Sequence, residues 1–158
     1  MPIIDNERDE YQLLGSMPSI VLAGLWPGFA PQDLDVFLNP VLLRRHMHKS
    51  ADFVNRVAAL NQYSERIAVC LDEPYVFARH ESVPSGEAGI TVYVETGDEP
   101  TTYLAVGIRI LAPKDGLGKK NHVTTLIPPM SGKKLTGKLQ KQMLCWPDGR
   151  LQNVKSFP

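Results

Sequence analysis

The stretch ITVYVETGDEPTTYLAVGIRIL, Ile90–Leu111, holds two runs of alternating apolar residues around a turn. In the first run, Ile90, Val92 and Val94 fall on one face. In the second, Leu104, Val106, Ile108 and Ile110 share a face, with Tyr103, Gly107 and Arg109 on the other. A period of two marks a half-buried strand, because successive side chains point to opposite sides of a sheet. Between the runs, GDEP (97–100) supplies the residues that turn a chain. The pair predicts an antiparallel hairpin with one apolar face to cover.

The cover comes from upstream. DVFL (35–38) reads as a short strand, and Asn39-Pro40 opens a helix, asparagine suiting the N-cap and proline the first turn. Helical spacing continues through Val41, Leu42, Arg45, His46 and Lys49. A second helix is predicted from about Ala51 to Leu71, with Phe53, Val54, Val57, Leu60, Ile67 and Val69 as apolar positions and a bend near Asn61 and Ser64. Asp72-Glu73-Pro74 ends it, since the residue before proline disfavours the helical region. Further upstream, Ile20–Leu25 reads as a buried strand or short helix broken by Trp26-Pro27-Gly28, and 1–18 as polar, irregular or briefly helical, and flexible. Downstream of the helices, Tyr75–Arg79 and His122–Ile127 read as strands, 83–89, 112–121 and 128–134 as loops, and Leu135–Leu144 as a short basic helix weakened by Gly137. Helices first and strands after predict an α+β fold, with N-terminal helices packed on one face of an antiparallel sheet of about four strands. The 158 residues suit a single domain with its core at about 34–128 and a basic extension over 129–158.

Charge is divided along the chain. Residues 1–107 carry 7 Lys+Arg against 15 Asp+Glu, a balance of −8, and 108–158 carry 10 against 2, a balance of +8. A cationic segment of this kind attracts phosphates; the acidic part would repel them unless it faces away or pairs within the molecule. The acidic opening MPIIDNERDE is neither a secretory signal nor a transit peptide, and its Met reads as a natural start. No apolar run is long enough for a bilayer, so no membrane partner is expected. Cys70 and Cys145 form no C-x-x-C pair, which suits small buried thiols in a cytoplasmic setting. Serine hydrolase, zinc protease, P-loop and dinucleotide motifs do not occur, and no cofactor is expected.

Two segments carry candidate chemistry. LLRRHMHK (42–49) places Arg45, His46 and His48 within two helical turns. The i,i+2 spacing of the histidines is wrong for one metal on one helix face, but a single imidazole beside arginine suits proton transfer at a phosphate. In HVTTLI (122–127), alternation places His122, Thr124 and Leu126 on one face and Val123, Thr125 and Ile127 on the other, the second set reading as core. If this strand pairs with 102–111, Tyr103, Arg109, Lys120, His122 and Thr124 form one patch, with Lys119 entering from the loop. Guanidinium binds two phosphate oxygens at once and lysine adds a point charge. A solvated helix face and a solvated sheet face are the plain alternatives. Tyr75, Tyr93 and Tyr103 read as packing or edge residues before base-stacking ones.

The segment order VFLNP, LLRRHMH, LDEPYVF, ITVYVET, TYLAVGIRIL and KNHVTTLIP resembles the barnase–EndoU–colicin–RelE-like nucleases, notably their small phage- and toxin-associated branches, over about residues 34–128. The resemblance implies one or two helices on a four-stranded antiparallel sheet and metal-independent cleavage of RNA, leaving a 2′,3′-cyclic phosphate and a 5′-hydroxyl; tRNA is one candidate substrate for such an activity. Its helical histidine falls on His46, or on His48. Its strand threonine falls on Thr124, or on Thr125 with a one-residue shift, and its basic residue on Arg109, Lys119 or Lys120. A toxin or phage effector is the implied role, with a cognate inhibitor or host protein as a further partner. The rival expectation is a non-catalytic module that binds nucleic acid or protein, such as a phage-encoded inhibitor of a host enzyme.

Overall fold

A computed structural model describes residues 4–18, 34–72, 76–80, 87–111, 121–136, 143–145 and 150–152. In chain order the elements are β1 (Gln12–Met17), β2 (Leu34–Leu38), α1 (Pro40–Met47), α2 (Phe53–Asp72), β3 (Val76–His80), β4 (Glu87–Glu95), β5 (Thr102–Leu111), β6 (His122–Ser131), α3 (Gly132–Thr136), β7 (Met143–Cys145) and β8 (Arg150–Gln152). The fold is α+β: helices pack on a mostly antiparallel mixed sheet whose five-strand core runs β1-β2-β6-β5-β4. Beyond β4 the sheet continues through β3, β7 and β8. It is therefore wider than the four strands expected, and one pairing, β2 with β6, is parallel.

The β4–β5 hairpin forms as its periodicity dictates, in continuous register from Glu87↔Leu111 to Glu95↔Tyr103. Gly97 sits in its turn at φ 84°, a conformation glycine adopts without Cβ strain. The face carrying Ile90, Val92, Val94, Leu104, Val106 and Ile108 is buried against the helices. On α2 the buried stripe is Leu60, Tyr63, Ser64, Ile67 and Leu71, at spacings of three and four. Val54 and Val69, expected on this stripe, lie outside it at 76% and 66% exposure. The helix runs unbroken for 20 residues, without the bend expected near Asn61 and Ser64; Ser64 is simply part of the buried face. Tyr63 donates to Asp98 Oδ2 (3.1 Å) and Arg66 Nε to the Glu95 carbonyl (2.8 Å), tying the helix to the hairpin turn.

Three departures from strict alternation explain most of the remaining differences. β1 lies in a region read as irregular. Its register slips between Leu13 and Gly15, so the buried residues Leu14 and Met17 are three apart and show no period of two. In β6, Gly107 pairs with Thr125 but Ile108 pairs with Val123, leaving Thr124 as the extra residue of a bulge. The buried pair is consequently Val123 and Leu126, not Val123 with Thr125 and Ile127. A second slip, between Tyr103↔Met130 and Ala105↔Ile127, takes in Pro128 and Pro129, so the strand runs on to Ser131 where a loop was expected. Beyond it, the helical turn is Gly132–Thr136, and Met143–Cys145, expected as the end of a basic helix, is a strand. On the far side of the sheet Leu135 closes a smaller cluster with Tyr93, Tyr103 and Ala105. Ile20–Leu25 and the basic loop 112–120 lie outside the described residues.

Candidate functional site

The site is assembled where β2, β6 and α1 meet. The start of β6 is pinned to β2: Phe37 pairs with His122, Phe37 N–H donates to the Asn121 carbonyl (2.9 Å), and Asn121 Nδ2 to the Asp35 carbonyl (3.2 Å). β2 then leads directly into α1 through Asn39. Its side-chain oxygen accepts from Leu42 N–H (3.0 Å), capping the helix, with Pro40 in the first turn. Leu42 and His46, one turn apart, therefore project from α1 toward β6. On the other side, β5–β6 pairing sets Arg109 opposite His122.

These elements enclose a cavity of about 270 Å³ lined by Tyr11, Asn39, Leu42, Leu43, His46, Arg109, His122, Val123 and Thr124. Four residues singled out from the sequence, His46, Arg109, His122 and Thr124, thus reach one cavity from three different elements. Thr124 owes its place to the bulge, and its hydroxyl donates to the Gly107 carbonyl (3.3 Å). Toward a ligand it presents oxygen lone pairs.

The other candidates are placed elsewhere. His48 caps the C-terminal end of α1, its N–H donating to the Arg44 carbonyl (3.0 Å) and its Nδ1 lying against the Arg45 carbonyl. Arg45 pairs with Asp9 (3.4 Å) on the surface. Tyr103 is buried in the small far-side cluster. Thr125 accepts from Arg56 Nη1 (3.2 Å). Lys119 and Lys120 lie outside the described residues.

Tyr11 is the residue that sequence reasoning missed. It sits between the acidic opening and β1, and its ring centroid lies 5.5 Å from that of His122, tilted by 59°. Nothing in its neighbours signals this, because the contact depends on β1 joining the sheet edge beside β2. Asn39 carries a second task as well: its Nδ2 donates to Asp9 Oδ1 (3.2 Å), while Arg44 donates to the Asn6 carbonyl. The basic residues of α1 are thus engaged by the acidic N-terminal segment.

Cys70 is half-buried and is not among the residues that line the cavity. Burial pushes its thiol up, Glu95 reinforces the shift and Arg66 opposes it, which disfavours the nucleophilic thiolate. Among the described residues no three His, Cys, Asp or Glu side chains are grouped to hold a metal ion, and no helix is long and apolar enough to cross a membrane. Compared with protein-family models, curated proteins and solved structures, the chain matches none.

Proposed function

We propose that the cavity is the active site of a metal-independent endoribonuclease. The carrying observation is that two histidines, an arginine and a hydroxyl acceptor converge on one small cavity. The segment order that resembles barnase–EndoU–colicin–RelE-like nucleases supports the same reading. In the reaction, His46 takes the proton of a ribose 2′-hydroxyl. The 2′-oxygen bonds to the adjacent phosphorus, and the bond from phosphorus to the 5′-oxygen breaks. His122, entering protonated, gives its proton to that leaving oxygen. The products are a 2′,3′-cyclic phosphate and a 5′-hydroxyl, with no net change in charge. Arg109 offsets the negative charge that grows on the phosphoryl oxygens. Thr124, its own proton committed to Gly107, keeps oxygen lone pairs for a nucleotide donor other than the reacting 2′-hydroxyl, whose one proton goes to His46.

The test is incubation of the protein with total RNA and with tRNA in EDTA. Fragments with 2′,3′-cyclic ends are expected, with losses on the order of 10²–10⁴-fold in His46→Ala and in His122→Ala. His48→Ala, outside the cavity, is expected to cleave like the parent. Absence of cleavage over a wide protein range, or cleavage that survives the His46→Ala/His122→Ala double variant, rejects the proposal.

A further inference from the structure

We propose that Tyr11 is a stacking platform for a nucleobase, so that the ligand of this cavity is a single-stranded nucleotide unit with its base on the Tyr11 ring and its phosphate toward Arg109. The inference rests on reading the cavity as an RNA site and adds what that site recognises.

The placement of the ring carries the first step. Tyr11 is 38% exposed and lines the cavity together with Arg109, His46 and His122. Its contact with His122 is tilted, not stacked. The tilted contact is a favourable aromatic geometry and still leaves more than a third of the residue exposed in the cavity lining, where a flat base is a partner suited to the ring.

The second step is preorganisation. The segment before Tyr11 is fastened at several points. Ile4 is buried in the main core, and Gln12 and Asp5 exchange two hydrogen bonds (2.8 Å each). Asn39 holds Asp9, and Arg44 holds the Asn6 carbonyl. From Gln12 onward the chain is β1. A ring already in place costs the ligand no ordering of that side chain.

The third step is size. About 270 Å³ falls just below the roughly 300–1,000 Å³ of pockets that enclose drug-sized molecules. A cavity of this size is matched to one nucleotide unit. Bases inside an A-form duplex are stacked on their neighbours, so only an unpaired base can be given to Tyr11.

The test uses a short, labelled single-stranded RNA carrying 2′-O-methyl groups, which cannot be cleaved, and the same oligomer with its central bases removed. Affinities are read by fluorescence anisotropy for the parent, Tyr11→Ala and Tyr11→Phe, with circular dichroism melts confirming that each folds. The parent is expected to prefer the full oligomer by on the order of tenfold, within the span of single base–aromatic stacks. Tyr11→Ala is expected to lose that factor on the full oligomer and nothing on the base-free one. Tyr11→Phe recovers most of the loss, since the ring and not the hydroxyl is used. Parent protein that binds both oligomers equally, or Tyr11→Ala that weakens both equally, overturns the proposal while leaving an RNA site standing. Parent protein that binds neither overturns the RNA reading and this inference with it. The base-free oligomer on unaltered protein keeps the test decisive even if Tyr11→Ala fails to fold.

Discussion

Replacing Gly107 with alanine tests the bulge on which the cavity depends. Gly107 lies buried in the middle of β5, opposite Thr125, and its carbonyl receives the Thr124 hydroxyl. A Cβ at this position would lie 2.4 Å from Thr125 Cγ2, about 1 Å inside ordinary contact. Thr125 cannot yield freely. Turning its side chain moves Oγ1 away from Arg56 Nη1, and Arg56 Nε is already buried without a partner. The clash is relieved either by overpacking or by giving up the hydrogen bond from Arg56, each costing about 1–3 kcal/mol, and the smaller unfolded-state entropy of alanine returns less than about 1 kcal/mol. Gly107→Ala is therefore expected to destabilise by about 1–3 kcal/mol, which lowers the melting temperature by roughly 2–12 °C in a chain of this length. Thr125→Ser removes Cγ2 and keeps Oγ1, so Gly107→Ala/Thr125→Ser should be more stable than Gly107→Ala alone. Urea unfolding of the four proteins closes the cycle. A Gly107→Ala change within about 0.5 kcal/mol of the parent, or a double variant no more stable than the single one, refutes the reasoning.

Two further outcomes follow from the same contacts. Asn39→Ala removes the cap of α1 and is expected to cost about 1 kcal/mol, with Asn39→Ser recovering most of it; equal melts for parent and alanine variant would show that the cap contributes nothing. Burial first, and then the hydrogen bond to and charge of Asp98, hold the Tyr63 phenol above its ordinary value of 10.0. Unfolded tyrosine then ionises first as pH rises, so the stabilisation is full below about pH 10 and is lost as pH climbs through the folded-state value. Tyr63→Phe should flatten the alkaline fall in urea stability, although Tyr93, which burial also raises, preserves part of the slope; parallel curves for the two proteins would contradict this.

Elements were legible in the sequence where one rule held along their whole length. β5 and the Ile90–Glu95 part of β4 alternate, and Asn39-Pro40 is a local cap, so these were readable; Glu87–Gly89, read as loop, extends β4 opposite Leu111–Arg109. Bulges that turn a spacing of two into three hid β1, at Leu14–Met17, and in β6, read correctly as a strand from His122, misled the assignment of its faces, at Val123–Leu126. The parallel contact of β2 with β6 joins residues 85 positions apart, Phe37 and His122, and nothing local encodes it. The candidate site divides in the same way. Arg109, His122 and Thr124 could be gathered by pairing two neighbouring strands, and His46 stands on the helix that follows β2. Tyr11 needed the sheet edge that the bulge in β1 conceals. His48 shows the converse: it shares a short motif with His46, yet a spacing of two on a helix directs it to the C-terminal cap.

Within the acidic part of the chain, the N-terminal segment meets the basic residues of α1, and the magnitudes decide what that meeting does. Arg45 and Asp9 pair at 3.4 Å with side chains 67% and 53% exposed, a contact worth about 0–1 kcal/mol and weakened by salt. Ile4, buried to one side of Tyr11, contributes about 1.5–3 kcal/mol through apolar burial, and Leu14 on the other side a similar amount. Ionic strength barely affects either. The acidic opening is therefore held over α1 chiefly by its apolar ends, with the ion pair as a minor addition. Salt should leave the Tyr11 ring beside His122 and act instead on Arg109 and any phosphate it meets. A steep loss of RNA affinity with salt would then count phosphate contacts and would not signal release of the N-terminal segment.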